Sequence, residues 1–158
     1  MKKALMTAVV LMVSIAGAQE REGWKLVWSD EFDKPGLPDA AKWTNEVGFV
    51  RNHEAQYYTR ARKENARVEG GNLIIEGVKE EYTAPDGKKS HYTAASLTTR
   101  GLFETTYGRV EVRAKLPRGR GMWPAIWMLG SSIDAIGWPR CGEIDIMEAV
   151  GHEPDKVF

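Results

Sequence analysis

Short runs of alternating apolar and polar residues dominate the chain. In residues 24–29 the pattern puts Trp24, Leu26 and Trp28 on one face, and Ser29-Asp30-Glu31-Phe32 ends the run. That period of two predicts a first strand. Residues 65–78 read as a β-hairpin turned at Glu69-Gly70-Gly71-Asn72, with Leu73-Ile74-Ile75-Glu76 as its second strand. Pro85-Asp86-Gly87-Lys88 is a turn by composition, and residues 91–100 are another strand. Residues 109–116 alternate most cleanly. Val110, Val112, Ala114 and Leu116 take one face; Arg109, Glu111, Arg113 and Lys115 take the other. A strand half-buried against a core has this pattern. Further on, Trp123, Ala125 and Trp127 share a face, with Ile126 and Met128 opposite. No stretch keeps a helical period for more than a turn or two. The pattern predicts an all-β domain of seven or eight strands.

One run breaks the alternation in an informative way. Cys141-Gly142-Glu143-Ile144-Asp145-Ile146-Met147-Glu148-Ala149-Val150 is an apolar strand carrying three carboxylates. Charged groups are rarely buried without partners, so their face should look into a cleft. Glu143 and Asp145 share a face because strand side chains alternate. Glu148 would point the other way in a regular strand. A β-bulge at Ile146-Met147 returns it to the same face. The two glutamates then lie about 13 Å apart along the backbone. Their long side chains can lean together to the separation of about 5–5.5 Å that a retaining glycosidase uses. An acidic strand at a solvated sheet edge is the plainer alternative. The neighbours favour a site: Trp123, Trp127 and Trp138 lie just upstream, and indole faces stack well on apolar partners such as the C–H faces of sugar rings.

Composition removes several function classes. Residues 1–18 have a basic start at Lys2-Lys3, an apolar stretch over 4–15, and a small-residue cleavage site at Ala16-Gly17-Ala18. This is the pattern of a secretory signal peptide, too short for a membrane span. The expected organisation is therefore an export segment over 1–18 and one domain over 19–158, secreted to the periplasm or the exterior. The formal net charge is 0 and falls to −2 once the two lysines leave. With no basic block there is no electrostatic case for nucleic acid or an anionic membrane. The expected state is a monomer. His53, His91 and His152 lack metal-ligand spacing, and Cys141 is the single cysteine, so no internal disulfide can form.

The run from Glu143 to Glu148 resembles the signature of glycoside hydrolase family 16. Its extra residue before the last glutamate is similar to the laminarinase branch, the endo-β-1,3-glucanases. Gly121-Met122-Trp123-Pro124-Ala125-Ile126-Trp127-Met128-Leu129-Gly130 and Gly137-Trp138-Pro139 resemble family segments just upstream. So, in order, do Asn52-His53-Glu54-Ala55-Gln56-Tyr57-Tyr58-Thr59, Leu97-Thr98-Thr99-Arg100 and Tyr107-Gly108-Arg109-Val110-Glu111-Val112-Arg113-Ala114.

The resemblance implies a β-jelly-roll sandwich of two antiparallel sheets, concanavalin A-like. It implies retaining hydrolysis of β-1,3-glucan, with Glu143 as nucleophile, Glu148 as acid/base and Asp145 hydrogen-bonded to Glu143. Two carboxylates this close do not both ionise cheaply, which suits one to donate and one to attack. No cofactor is required for this chemistry. Asn52 would line the glycone side of the cleft, or else hold its own loop. Arg100 would reach a substrate hydroxyl or orient a carboxylate, or else make a surface salt bridge. Trp123, Trp127 and Trp138 would be sugar platforms. A structural calcium is implied near Glu31, against the plainer reading of a turn carboxylate. Other family 16 substrates (mixed-linkage glucan, agar, carrageenan) and a non-catalytic β-glucan-binding module are the alternatives. The apolar run at Val157-Phe158 stops abruptly, so the sandwich is expected to be incomplete at its C-terminus, and this polypeptide alone poorly folded and weakly active or inactive.

Overall fold

A computed structural model describes residues 22–158. The expected export segment lies outside them. Among the described residues the architecture is all-β, with nine strands and one four-residue helix. No helix there is long and apolar enough to cross a membrane. The chain divides into two compact units. The first contains residues 22–39 and Asn45–Ser96, the second Ala40–Thr44 and Leu97–Phe158.

The strands of the first unit are β2 (Tyr57–Tyr58), β3 (Ala66–Glu69), β4 (Asn72–Ile75), β5 (Val78–Thr83) and β6 (Lys89–Ala94). The division between units runs through β1 (Thr44–Glu46) and β7 (Ser96–Thr98). The hairpin foreseen over residues 65–78 is β3·β4, antiparallel with Glu69 opposite Asn72. Its turn residues Gly70 and Gly71 have φ of 57° and 72°, and a two-residue turn with both values positive matches the twist of paired strands. The turn at Pro85–Lys88 joins β5 to β6, and the Lys88 amide donates to Asp86 Oδ1 at 3.2 Å. β2 pairs with β6 in parallel, where antiparallel sheets were expected. The thirty residues between them supply the long connection that a parallel pair requires.

The packed core of the first unit is small and partly polar. Tyr57, Tyr58, Ala66, Val68, Ala84 and Ala95 are its buried apolar members. Tyr57 meets Phe49 edge-on, with centroids 5.5 Å apart, and lies 5.6 Å from the Tyr82 ring. Beside them Thr59, Asn65 and Thr93 are almost fully buried. Buried polar groups must find partners, and these do. Thr59 Oγ1 donates to Asn65 Oδ1 at 2.7 Å. Asn65 Nδ2 donates to Thr93 Oγ1 at 2.9 Å and to the Glu76 carbonyl at 3.2 Å. Arg62 reaches Asn65, Thr93 and Glu80 together, and Thr93 donates to Glu80. Asn65 thereby ties the hairpin to β6.

The second unit contains β8 (Ala125–Leu129), α1 (Ile133–Ile136) and β9 (Glu143–Glu148). Two strands expected from alternation do not form. Residues 24–29 carry no strand, and Trp24 is 55% exposed. Residues 109–116 carry none either, with Val110 and Val112 about half exposed. Alternation marks a face suited to burial, but a strand exists only when a neighbour takes up its backbone groups. Residues 91–100 form β6 and β7, interrupted at Ala95.

Candidate active site

β8 and β9 pair antiparallel, and their register settles the geometry of the carboxylates. Leu129 lies opposite Glu143, Met128 opposite Ile144, Trp127 opposite Asp145, Ile126 opposite Met147 and Ala125 opposite Glu148. One residue of β9, Ile146, has no counterpart, and the register shifts there. This is the bulge foreseen at Ile146-Met147. Directly opposed residues in an antiparallel pair project to the same side. Glu143, Asp145 and Glu148 therefore share one face with Ala125, Trp127 and Leu129. Ile126, Met128, Ile144 and Met147 take the other.

The three carboxylates sit differently. Glu143 and Asp145 are exposed, while Glu148 is half-buried. Hydrated carboxylates need no compensating partners, whereas buried ones do. The hydrogen bond expected between Asp145 and Glu143 is not formed among the described residues. Two residues apart on a strand, their side chains leave the backbone in parallel, about 6–7 Å apart. Glu148 does have a partner: the Trp123 indole N–H donates to its Oε1 at 2.5 Å. Its backbone is held too. The Glu148 amide donates to the Phe158 carbonyl at 3.0 Å, and the Phe158 amide donates back at 2.8 Å.

The three tryptophans divide. Trp127 stands on β8 opposite Asp145 and is half-buried. Trp123, expected within the strand, precedes it. Proline lacks an N–H for a ladder, and β8 begins just after Pro124. Trp138 lies in the turn between α1 and β9 and is 67% exposed. Arg100 pairs with Asp134 of α1, which is the surface salt bridge foreseen as its alternative. A groove of about 660 Å³ in this unit is walled by Leu116, Pro117, Pro124, Val150 and Val157 among others, and none of the three carboxylates lines it.

Asn52 belongs to the first unit. It is exposed in a turn with φ of 55°, next to His53 at 52°. Asparagine tolerates this left-handed conformation better than most residues. A network that sequence reasoning missed braces the loop. Tyr58 donates to Glu54 Oε2 at 2.8 Å, and Gln56 Nε2 donates to the Tyr58 oxygen at 2.9 Å. Arg51 pairs with Glu46 and lies over the Tyr58 ring. Burial, and then the bond to Glu54, push the Tyr58 phenol up to about 12. The signal was present in the polar-aromatic run Glu54-Ala55-Gln56-Tyr57-Tyr58, but its partners become apparent only in three dimensions.

Calcium takes six to eight oxygen ligands. Among the described residues no group of three or more Asp, Glu, His or Cys side chains gathers as a metal site. Asp30 Oδ1 accepts from the Phe32 amide at 3.2 Å, a local turn contact.

A family model described as glycosyl hydrolases family 16 matches residues 52–158. The chain belongs to this family. The family match includes Asn52 and every residue of the β8·β9 hairpin. Among curated relatives, the chain is 52% identical over 163 residues to a beta-glucanase of Rhodothermus marinus, covering 99% of this chain and 55% of that one. The solved laminarinase of Rhodothermus marinus superposes with a TM-score of 0.77 at 58% identity, over 85% of this chain and 53% of that one. The laminarinase catalytic domain of Thermotoga maritima gives 0.76 at 49% identity, over 85% and 55%. The fold is thus the all-β jelly roll of family 16. The chain spans about half the length of these relatives.

Proposed function

We propose that this protein is a secreted family 16 hydrolase that cleaves internal β-1,3-glucosidic bonds of laminarin-type glucans with retention of configuration. One observation carries the reading. The bulged β8·β9 pairing brings Glu143, Asp145 and Glu148 to one face beside Trp127. The names of the relatives, beta-glucanase and laminarinase, support the substrate class. The amino-terminal pattern over residues 1–18 supports export.

In this reading a Glu143 carboxylate oxygen attacks the anomeric carbon. Glu148 gives its proton to the glycosidic oxygen, and the C–O bond to the departing chain breaks. The product is a glycosyl ester on Glu143. Glu148, now anionic, takes a proton from water as the water oxygen attacks the same carbon, and the ester bond breaks to free Glu143. Two inversions leave a β-configured product. Asp145 lies between the two on the same face. Trp127 and Trp138 offer indole surface to the sugar chain. The chemistry calls on no metal or organic cofactor.

The test is reducing-sugar release from laminarin, with lichenan, agarose and carrageenan alongside. Release from laminarin, weak for this polypeptide alone, is expected, with a β-anomeric first product by NMR. Glu143→Gln should reduce it to background, and Glu148→Gln should lower it about 10²–10⁴-fold. Activity that survives Glu143→Gln would overturn the nucleophile assignment. Cleavage confined to another polysaccharide would overturn the substrate.

A further inference from the structure

The residues around Glu148 give Trp123 a role other than sugar platform. The β8·β9 ladder continues past its formal ends. The Ala149 amide donates to the Pro124 carbonyl at 3.2 Å, and the Gly151 amide donates to the Met122 carbonyl at 2.8 Å. These bonds bracket Trp123 and keep the 122–124 segment in register with 149–151. Gly151 lies so close to another segment that a Cβ there would sit 1.7 Å from the Gly119 carbonyl oxygen. Trp123 stands two residues before Ala125, which opposes Glu148. It is therefore the diagonal same-face neighbour of Glu148, within reach for a long aromatic side chain. Its indole N–H meets Oε1 at 2.5 Å. Among the described residues, neither Glu143 nor Asp145 has a comparable side-chain bond.

Resting on the glucanase reading, we infer that Trp123 is a positioning residue for Glu148, fixing which carboxyl oxygen carries the proton. An indole N–H only donates. The carbonyl oxygen of a protonated carboxyl is its better acceptor, so the oxygen the indole faces is the carbonyl and the transferable proton resides on Oε2. Oε2 is then the atom aimed at the glycosidic oxygen, and the bond to Oε1 stops the carboxyl from rotating. When the proton leaves, the same N–H faces a carboxylate, and a hydrogen bond to an ionised acceptor is shorter and stronger than to a neutral one. Trp123 thus assists the step in which Glu148 acts as acid. It does little for a leaving group that departs without a proton.

Two measurements on the full chain test this. The first compares Trp123→Phe with wild type on laminarin and on a dinitrophenyl laminaribioside, whose leaving group needs no protonation. Phenylalanine keeps an aromatic face and removes the donor. The expected result is a kcat/KM about 10–100-fold lower on laminarin, the worth of one hydrogen bond to a charged group, with a much smaller loss on the aryl substrate. Equal losses on both would overturn the positioning role and restore Trp123 as a platform. The second is the indole ¹H–¹⁵N resonance of Trp123, identified by its disappearance in Trp123→Phe. It should titrate with pH in the wild type and cease to do so in Glu148→Ala. A resonance unmoved by Glu148→Ala would overturn the contact itself. A wild-type chain that cleaves another polysaccharide but neither of these substrates would overturn the glucanase reading, a result distinct from either of these.

Discussion

At the scale of single residues, the charged side chains of this protein do two kinds of work. Glu80 is structural. The Arg62 guanidinium first, and then the Thr93 hydroxyl, hold its carboxyl at about 2, against an ordinary value of 4.5. A carboxyl whose pKa is depressed by folding stabilises the native state fully above its unfolded value, and loses that contribution as pH falls towards the folded one. The window here runs from about 4.5 down to about 2. Glu80→Gln should therefore be less stable than wild type above this window, and the difference should shrink through it. Urea unfolding of both proteins at a series of pH values checks this; a difference that stays constant down to pH 2 would contradict it. None of this was legible in the sequence. Arg62, Asn65, Glu80 and Thr93 are spread over 32 residues of unremarkable composition, and only the close approach of β5 and β6 to the 59–66 segment joins them. The carboxylates of the candidate site were legible because three charges inside one apolar strand are costly without a purpose. For Trp123, sequence identified the residue but not its bond to Glu148.

At the scale of elements, the bulge is the decisive feature. It could be deduced from the sequence because parity alone required it: five positions separate Glu143 from Glu148, and an odd step changes face unless one residue is absorbed. The same argument predicts the effect of changing the count. Deleting Ile146 leaves a four-residue step, which a regular strand already places on one face. That variant should keep the pairing of Ala125 with the last glutamate, and activity within about tenfold of wild type, since small misplacements of a reacting group are costly but a retained face preserves the constellation. Inserting an alanine after Met147 instead makes a six-residue step, which a regular strand also places on one face but which carries the last glutamate about 7 Å further along, opposite Trp123 rather than Ala125, and should abolish laminarin hydrolysis. Similar activity in both variants would mean that the spacing of the two glutamates along the strand does not control the site. Residues 24–29 and 109–116 show the opposite lesson. The alternation of 109–116 is cleaner than that of β9, yet no ladder forms in either segment, because burial pattern is a property of the segment and pairing is a property of its neighbours.

At the scale of the whole molecule, burial is distributed unevenly, and this has a measurable consequence. Every fully buried residue among those described belongs to the first unit, from Gly48 to Ala95. The second unit, which carries the three carboxylates, has none among its described residues. Backbone bonds that are buried with their side chains open only with the surrounding structure, whereas exposed ones open locally at little cost. The Thr59 amide bonds the Ala94 carbonyl at 2.9 Å, and the Glu76 amide bonds the Asn65 carbonyl at 2.9 Å, both beside the buried polar cluster. These amides, with those of β3 and β6, should exchange most slowly with deuterium. Residues 105–118, which carry no strand, should exchange fastest. Amides of β8 and β9 should fall between, since their ladder is regular but its carboxylate face is solvated. Hydrogen exchange read by mass spectrometry resolves these three classes. Equal protection of the β8·β9 hairpin and the Thr59–Asn65–Thr93 cluster would show that the carboxylate face is buried in solution. An order of cluster, hairpin, then 105–118 would mean that the candidate chemistry rests on the less protected unit, and that a substrate lying along the indoles gains affinity partly by ordering it. Laminarin oligosaccharides should then slow exchange in β8 and β9 while leaving the cluster unchanged.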